Sequence, residues 1–369
     1  MNPIVLDRTR IEQYGDCPQE GYLSMLFDAI RAEAKGEKVF PWEKERVADA
    51  DSELIGQMKK TALLSREGKL GVIGQQIHDL IKEAFAACDN DISKVPDWFA
   101  ENLPKIRPDI QPQAIRHARH VCDMLADYHV SLLGVEQQVS ITLLPETKNR
   151  PAVVVTMRYD LIGSGISSLH IADWKTGYLR RTNSETYDSL QAQVGAWLLW
   201  QQPEYKDITK VHFWYYETLW GTKAYAGFDR DLEHPRLPHL TTQVAITGRI
   251  KEAVKLFLDN RKDCWPTEQK CCWCEMIDFC TLANMQAKEI ADNPKLFVDK
   301  LVVDEALVKR NKKAATEWIK GKGPLHGSKV IYARKKPTER FTAEFQDADK
   351  AKGPTQTGDD DLDSHFRKE

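Results

Sequence analysis

The sequence predicts an α/β fold: a small central mixed sheet flanked by helices, with an N-terminal helical region before it and a cysteine-rich segment after it. Three observations carry that expectation. Apolar residues keep helical spacing up to Tyr128, three segments rich in Val, Ile and Thr follow between Glu136 and Trp174, and helical and strand patterns alternate from Ser184 to Leu258.

From Thr9 to Phe27 the positions Ile11, Tyr14, Tyr22, Leu23 and Leu26 surround Cys17-Pro18, the pattern of a helix interrupted at the proline and resumed, with Cys17 at the break. Gly71 to Phe85 carries Ile73, Ile77, Leu80, Ile81 and Ala84 at helical spacing. His78 lies beside that stripe, where it can point into a cleft. Pro96 to Tyr128 continues as helix, broken between Lys105 and Pro112 by two prolines. Glu136 to Leu144, Ala152 to Ile162 and Leu169 to Trp174 read as strands, and Gly163, Gly165, Ser167 and Ser168 suit a hairpin turn between the last two.

Beyond the meander, Ser184 to Trp200 reads as one helix with Leu190, Val194, Trp197 and Leu198 on one face. Val211 to Leu219 and Thr222 to Gly227 read as a strand pair turning at Trp220-Gly221, and Ile246 to Leu258 as an amphipathic helix. Thr281 to Lys320 is mainly helical in pattern, and Lys329 to Ala333 is a short strand before the basic run Arg334-Lys335-Lys336. From Asp347 onward small and charged residues cannot bury enough apolar surface to order themselves.

The chain has 369 residues, 42% of them hydrophobic and 29% charged, which suits a globular protein of one large or two modest domains. No apolar run approaches the roughly 18 residues of a membrane span. The N-terminus has no signal-peptide pattern, so the expected compartment is the cytoplasm and no membrane partner is expected. A net charge of -3 supplies no global attraction for nucleic acid, so any such affinity must come from local basic patches.

Four of the eight cysteines fall between residues 271 and 280. Cys271, Cys274 and Cys280 have x2 and x5 spacing, and Cys17 stands more than 250 residues upstream. In a reducing compartment this is the pattern of a soft metal centre that fastens two ends of a domain, and Zn2+ and an iron-sulfur cluster both satisfy it. Cys272 duplicates Cys271, while Cys88, Cys122 and Cys264 read as ordinary core or surface thiols.

Between those ends lie His78, Asp160 and Asp173-Trp174-Lys175. Asp160 closes a β-rich run; Asp173 and Lys175 are two apart and share one face of a strand. Two carboxylates that converge on a hard cation, beside an ammonium group, are what phosphodiester hydrolysis requires. The lysine would position the nucleophile and offset developing charge, and a His78 nitrogen would bias the site toward Mn2+ over Mg2+. Each residue alone is more often a packing, turn or surface residue than a ligand.

The ordered set Cys17-Pro18, His78, Asp160, Asp173-Trp174-Lys175, Gln193 and Cys271, Cys274, Cys280 resembles the RecB-like branch of the PD-(D/E)XK nuclease superfamily. More narrowly it resembles the iron-sulfur members of that branch, which include AddB-type helicase-nucleases and CRISPR-adaptation exonucleases. The resemblance runs from residue 7 to about 285. It implies a restriction-endonuclease-like core, with His78, Asp160, Asp173 and the Trp174 carbonyl as ligands of Mg2+ or Mn2+ and Lys175 as the catalytic lysine. It also implies a 4Fe-4S cluster on Cys17, Cys271, Cys274 and Cys280. Gln193, four residues before Trp197, resembles that branch's Gln-x3-Tyr element with tryptophan replacing tyrosine, and Gln191 is a second candidate. Glu136 resembles an acid that precedes the metal aspartate in this branch.

The same resemblance implies a nuclease domain over residues 1–285, with a helical insertion at about 35–130, closed by the four cysteines. Residues 286–345 would form a helical and basic appendage and 346–369 a disordered acidic tail. Arg180, Arg181 and Tyr178 follow Lys175 closely and are the candidate DNA contacts. The segment from Trp318 to Arg334 loosely resembles the end of phage-borne nuclease-like proteins, implying a phage or prophage origin and a bacterial host cell. The function expected is a metal-dependent DNA exonuclease of recombination, replication or end processing, with a recombination or replication protein as a possible partner. A silent nuclease-like binding protein and a CRISPR-adaptation nuclease are the alternatives.

Overall fold

In a computed structural model the described residues are 2–64, 69–91, 94–108, 110–127, 130–175, 180–217, 221–285, 293–322, 325–326, 330–334 and 341–345. They divide into two units, Met1–Asp263 and Cys264–Glu369. Among the described residues no helix is long and apolar enough to cross a membrane.

The first unit opens with a short strand, β1 (Ile4–Asp7), then α1 (Arg8–Asp16) and α2 (Pro18–Ala34). Asp7 caps α1 by accepting the Arg10 amide, and Cys17 is the extended residue where α1 stops and Pro18 starts α2. Helices α3 (Pro41–Ala48), α4 (Ser52–Leu64), α5 (Lys69–Ala87), α6 (Val95–Asn102) and α7 (Gln111–Asp127) follow. Four residues are too few for alternation to separate β1 from a helix start, so it escapes sequence reading.

The sheet comprises β1, β2 (Ser131–Leu144), β3 (Val153–Ser164), β4 (Ser168–Lys175), β5 (Lys210–Glu217) and β6 (Thr222–Asp229), in the order β1-β3-β4-β5-β6 with β2 also on β3. Pairs β1/β3 and β4/β5 are parallel and the others antiparallel, a mixed sheet as expected. β2 occupies one edge of β3 along its length. β1 and β4 share the other edge: β1 covers Val153 to Thr156 and β4 covers Leu161 to Ser164. The stretch Met157 to Asp160 between them faces a fork.

Helices cover both faces. Ile77, Ile81 and Phe85 of α5, Phe99 of α6 and Ala114 of α7 pack with Leu161, Trp174, Trp214 and Tyr216. On the other face lies α9 (Leu190–Trp200), buried at every residue, next to α1 and to α10 (Thr242–Leu258). The single helix expected over residues 184–200 is two, because Ser189 breaks it from α8 (Asn183–Asp188). Ser189 is extended, and its hydroxyl meets the Tyr215 hydroxyl at 2.9 Å rather than capping α9. A small hairpin of β7 (Glu233–His234) and β8 (Leu237–Thr241), unforeseen, precedes α10.

The second unit contains α11 (Glu268–Trp273), α12 (Thr281–Asn284), α13 (Pro294–Lys322) and a three-stranded sheet of β9 (Leu325–His326), β10 (Val330–Arg334) and β11 (Phe341–Phe345). Cys271, Cys272 and Cys280 pack there with Ile277, Leu282, Val303 and Ala306. Lys335, Lys336 and the tail from Asp347 lie outside the described residues.

Candidate metal centre

The fork beside β3 sets the site. Tyr159 sends its hydroxyl to Gly195 O of α9 at 2.7 Å, yet Leu161, two residues on, packs in the α5–α7 layer. β3 therefore twists through Asp160, which lies mid-strand and not at the strand end that the sequence suggested. Across the fork the Trp174 amide, which a continued ladder would direct to the β3 backbone, donates to Asp160 Oδ2 at 2.7 Å. A side chain has replaced a ladder hydrogen bond, and this fixes the carboxylate.

From the other side α5 brings His78. Its Nδ1 lies 3.2 Å from Glu136 Oε1 and 3.4 Å from Asp160 Oδ1, and its ring stands edge-on to Trp174 with centroids 6.3 Å apart. Glu136 Oε2 pairs with Arg158 at 2.9 Å. Glu136 has a φ of 53°, a left-handed conformation uncommon for a residue with a side chain, at the position of β2 facing Asp160. His78, Glu136 and Asp160 each offer a ligand atom within 4.8 Å of the others.

Asp173 is 3% exposed and adds a further acid one residue from the Trp174 amide. Lys175 Nζ lies 2.6 Å from Asp173 Oδ2, as two-residue spacing on one strand requires. Gln191, the second residue of α9, ties the pair together: its amide nitrogen donates to Asp173 Oδ1, and its carbonyl accepts from Lys175 Nζ at 3.1 Å.

Electrostatics follow from crowding acids in a buried place. Burial and the nearby Asp173 charge hold the Asp160 carboxyl above its ordinary range. For Asp173 burial acts the same way, but Lys175 and Arg8 outweigh it and leave its pKa lowered. Burial lowers the Lys175 pKa against the pull of Asp173. Burial also opposes charge on His78, yet hydrogen bonds to Asp160 and Glu136 prevail and raise its pKa to about 10.

Three oxygen-bearing acids and one imidazole suit a divalent cation that accepts both oxygen and nitrogen. A cation there would meet the charge density that otherwise holds a proton on His78, so the donor set fits Mg2+ or Mn2+.

The structure thus brings His78, Asp160, Asp173, Trp174 and Lys175 together. It does not bring Gln193 to them: Gln193 bonds Tyr187 O and accepts from Arg249 at 2.7 Å, and Trp197 bonds Thr247. Gln191 stands in that place instead. Arg180 is exposed, the Arg181 guanidinium lies 4.5 Å from the Tyr215 ring centre, and Tyr178 lies outside the described residues. Cys17 sits at the α1–α2 break of the first unit. Cys264, read as an ordinary thiol, has its Sγ 3.8 Å from Cys280 Sγ within the second unit. Glu136, the acid that the resemblance sets before the metal aspartate, joins the site in a left-handed conformation opposite Asp160, and that conformation is not visible in a sequence.

Residues 53–281 match the sequence profile of the PD-(D/E)XK nuclease superfamily. No curated protein matches the chain. Among solved structures, the crystal structure of SSO0001 is similar at 11% identity, over 78% of this chain and 90% of that chain, with a TM-score of 0.34. The match covers well over half of the sequence, and the mixed sheet flanked by helices is consistent with a restriction-endonuclease-like fold: the chain belongs to the PD-(D/E)XK nuclease superfamily, a class of metal-dependent nucleases.

Proposed function

We propose that this protein is a divalent-metal-dependent DNA exonuclease of the RecB-like branch, acting on DNA ends in phage or bacterial recombination, replication or end processing in the cytoplasm. The observation that carries this reading is the tie across the fork. Asp160, Glu136 and His78 gather on one side of it, the Asp173–Lys175 pair on the other, and the Trp174 amide joins them.

His78, Asp160, Asp173 and the Trp174 carbonyl, with Glu136 beside them, would hold the Mg2+ or Mn2+. A bound divalent cation polarises the scissile phosphate and acidifies an attacking water. Lys175 orients that water through its ammonium group and offsets negative charge that develops on the phosphate. Gln191 keeps Lys175 and Asp173 aligned. Arg180, Arg181 and Tyr178 follow β4 and meet the strand's backbone and bases.

The same reading assigns a 4Fe-4S cluster to Cys17, Cys271, Cys274 and Cys280, with Zn2+ as the rival occupant. The apolar packing around Cys271 and Cys280 supports it, since a dry sheath protects thiolate-bound iron from solvent. Residues 1–285 then form the nuclease domain, with the helices at about 35–130 as an insertion, and residues 286–345 an appendage.

The test is incubation of purified protein with end-labelled linear DNA and Mn2+. Metal-dependent release of nucleotides from ends, lost in Asp173→Ala and lowered about 10²–10³-fold in Lys175→Ala, is expected. Undiminished cleavage in both variants sinks the assignment. Anaerobically purified protein should absorb broadly in the visible range, and a colourless protein with stoichiometric zinc would place Zn2+ on the thiols.

A further inference from the structure

The fork has a second prong. β1 leaves β3 at Asp7, opposite Thr156, and Arg8 is the next residue, the first of α1. It stands where β1 turns away, as Asp173, Trp174 and Lys175 stand where β4 turns away, and the stretch Met157 to Asp160, paired with β2 on its far edge only, lies between. Close packing holds α1 in this position: a Cβ built on Gly15 would meet Leu190 of α9 at 3.0 Å, so α1 lies directly on the helix that carries Gln191.

Arg8 is half-buried, and among the described residues it makes no hydrogen bond and no ion pair. Its charge is felt by Asp173, Glu12, Tyr215 and Asp160 without touching any of them. A guanidinium presents five N–H donors in a planar fork that suits a phosphate, and leaving them unused in a half-buried place is costly. Two further cations converge on the same Tyr215. The Arg181 guanidinium lies 4.5 Å and Lys175 Nζ 5.2 Å from its ring centre, and its hydroxyl is bonded to Ser189. Lys175 is committed to Asp173 and Gln191, whereas Arg8 has no hydrogen-bond or ion-pair partner among the described residues.

We propose that Arg8 binds a backbone phosphate of the DNA strand next to the scissile one, with Arg181, which lies over the Tyr215 ring, as second donor. The assignment rests on the nuclease reading above. It makes Arg8 a substrate-binding residue contributed by the N-terminal strand and helix, not by the sheet that carries the acids.

The experiment measures binding of a fluorescein-labelled single-stranded oligonucleotide in Ca2+, by anisotropy across a salt series, for the full-length protein, Arg8→Gln, Arg8→Lys and Arg181→Gln. Arg8→Gln should weaken Kd about tenfold. Its slope of log K against log salt should be shallower by about 0.7. Arg8→Lys should restore the slope and recover part of the affinity. Mn2+ affinity by calorimetry should stay within about twofold of wild type in Arg8→Gln, which separates phosphate binding from a counter-charge role toward Asp173. Wild-type Kd and slope in Arg8→Gln, or a loss of Mn2+ affinity with DNA affinity intact, overturns the proposal and leaves the nuclease reading standing. A wild-type protein that neither binds nor cleaves the oligonucleotide overturns both.

Discussion

Asp160 and Trp174 are bonded side chain to backbone across the point where β3 and β4 part, at 2.7 Å, and this bond holds the acid in the place where His78 reaches it. The amide needs an acceptor and the site needs a charge, and the two demands can be separated by mutation. Asp160→Asn keeps an acceptor, whereas Asp160→Leu leaves the amide buried and unpaired. Both should lose Mn2+ affinity, but Asp160→Leu should be the less stable by about 1–3 kcal/mol in urea unfolding. Equal midpoints for the two variants would show that the bond has no structural weight.

Gln191 and Gln193 are two residues apart on α9 and face different neighbours. Gln191→Ala should lower the rate of DNA cleavage with a small change in melting temperature, because Lys175 keeps Asp173. Gln193→Ala takes one of two acceptors from the half-buried Arg249, leaving Asp188 O, and should cost about 1–3 kcal/mol of stability while cleavage per folded molecule persists. The reverse pattern in paired melting and cleavage assays would return the aligning role to Gln193.

With a pKa of about 10, His78 is protonated at pH 7.5, and a metal ligand must be neutral. Mn2+ binding should therefore release about one proton per site, read as a difference in calorimetric heat between buffers of unlike ionisation enthalpy. His78→Asn should abolish the release. Identical heats across buffers in the wild type would remove His78 from the ligand set.

His170 and His212 stack with ring centroids 4.6 Å apart in register on β4 and β5, and His170 is 3% exposed. Burial first, then the His212 ring, lowers the His170 pKa to about 4. The folded form thus binds its proton less readily than the unfolded chain, whose histidine titrates near pH 6.5. Stability contributed this way is complete above about pH 6.5 and is lost as pH falls toward about 4. His170→Phe should flatten that acid limb of the stability profile, and an unchanged slope between those pH values would assign the acid sensitivity elsewhere.

Much of the arrangement is legible in local pattern. Period two puts Asp173 and Lys175 on one face and they pair; helical spacing puts His78 at the margin of the buried stripe of α5, and it reaches the acids. Cys17-Pro18 marks the break between α1 and α2, and the alternation of strands and helices reads as a mixed sheet between helical layers. Gln191 could not be separated from Gln193, because α9 is buried at every residue, so the single apolar face expected from Leu190, Val194, Trp197 and Leu198 does not orient it. Ser189 hides a helix break for the same reason.

What the sequence by itself determined is therefore the fold class and the acids, lysine and histidine that lie near one another along strands and helices of regular period. The tertiary structure alone decided the fork, the left-handed turn at Glu136, the choice of Gln191 and the approach of Arg8. These depend on β1 and β4 sharing one edge of β3 while more than 140 residues separate them in the chain. Contacts at that separation are set by which layers bury their apolar faces against each other, a sum over the whole core that no local spacing records.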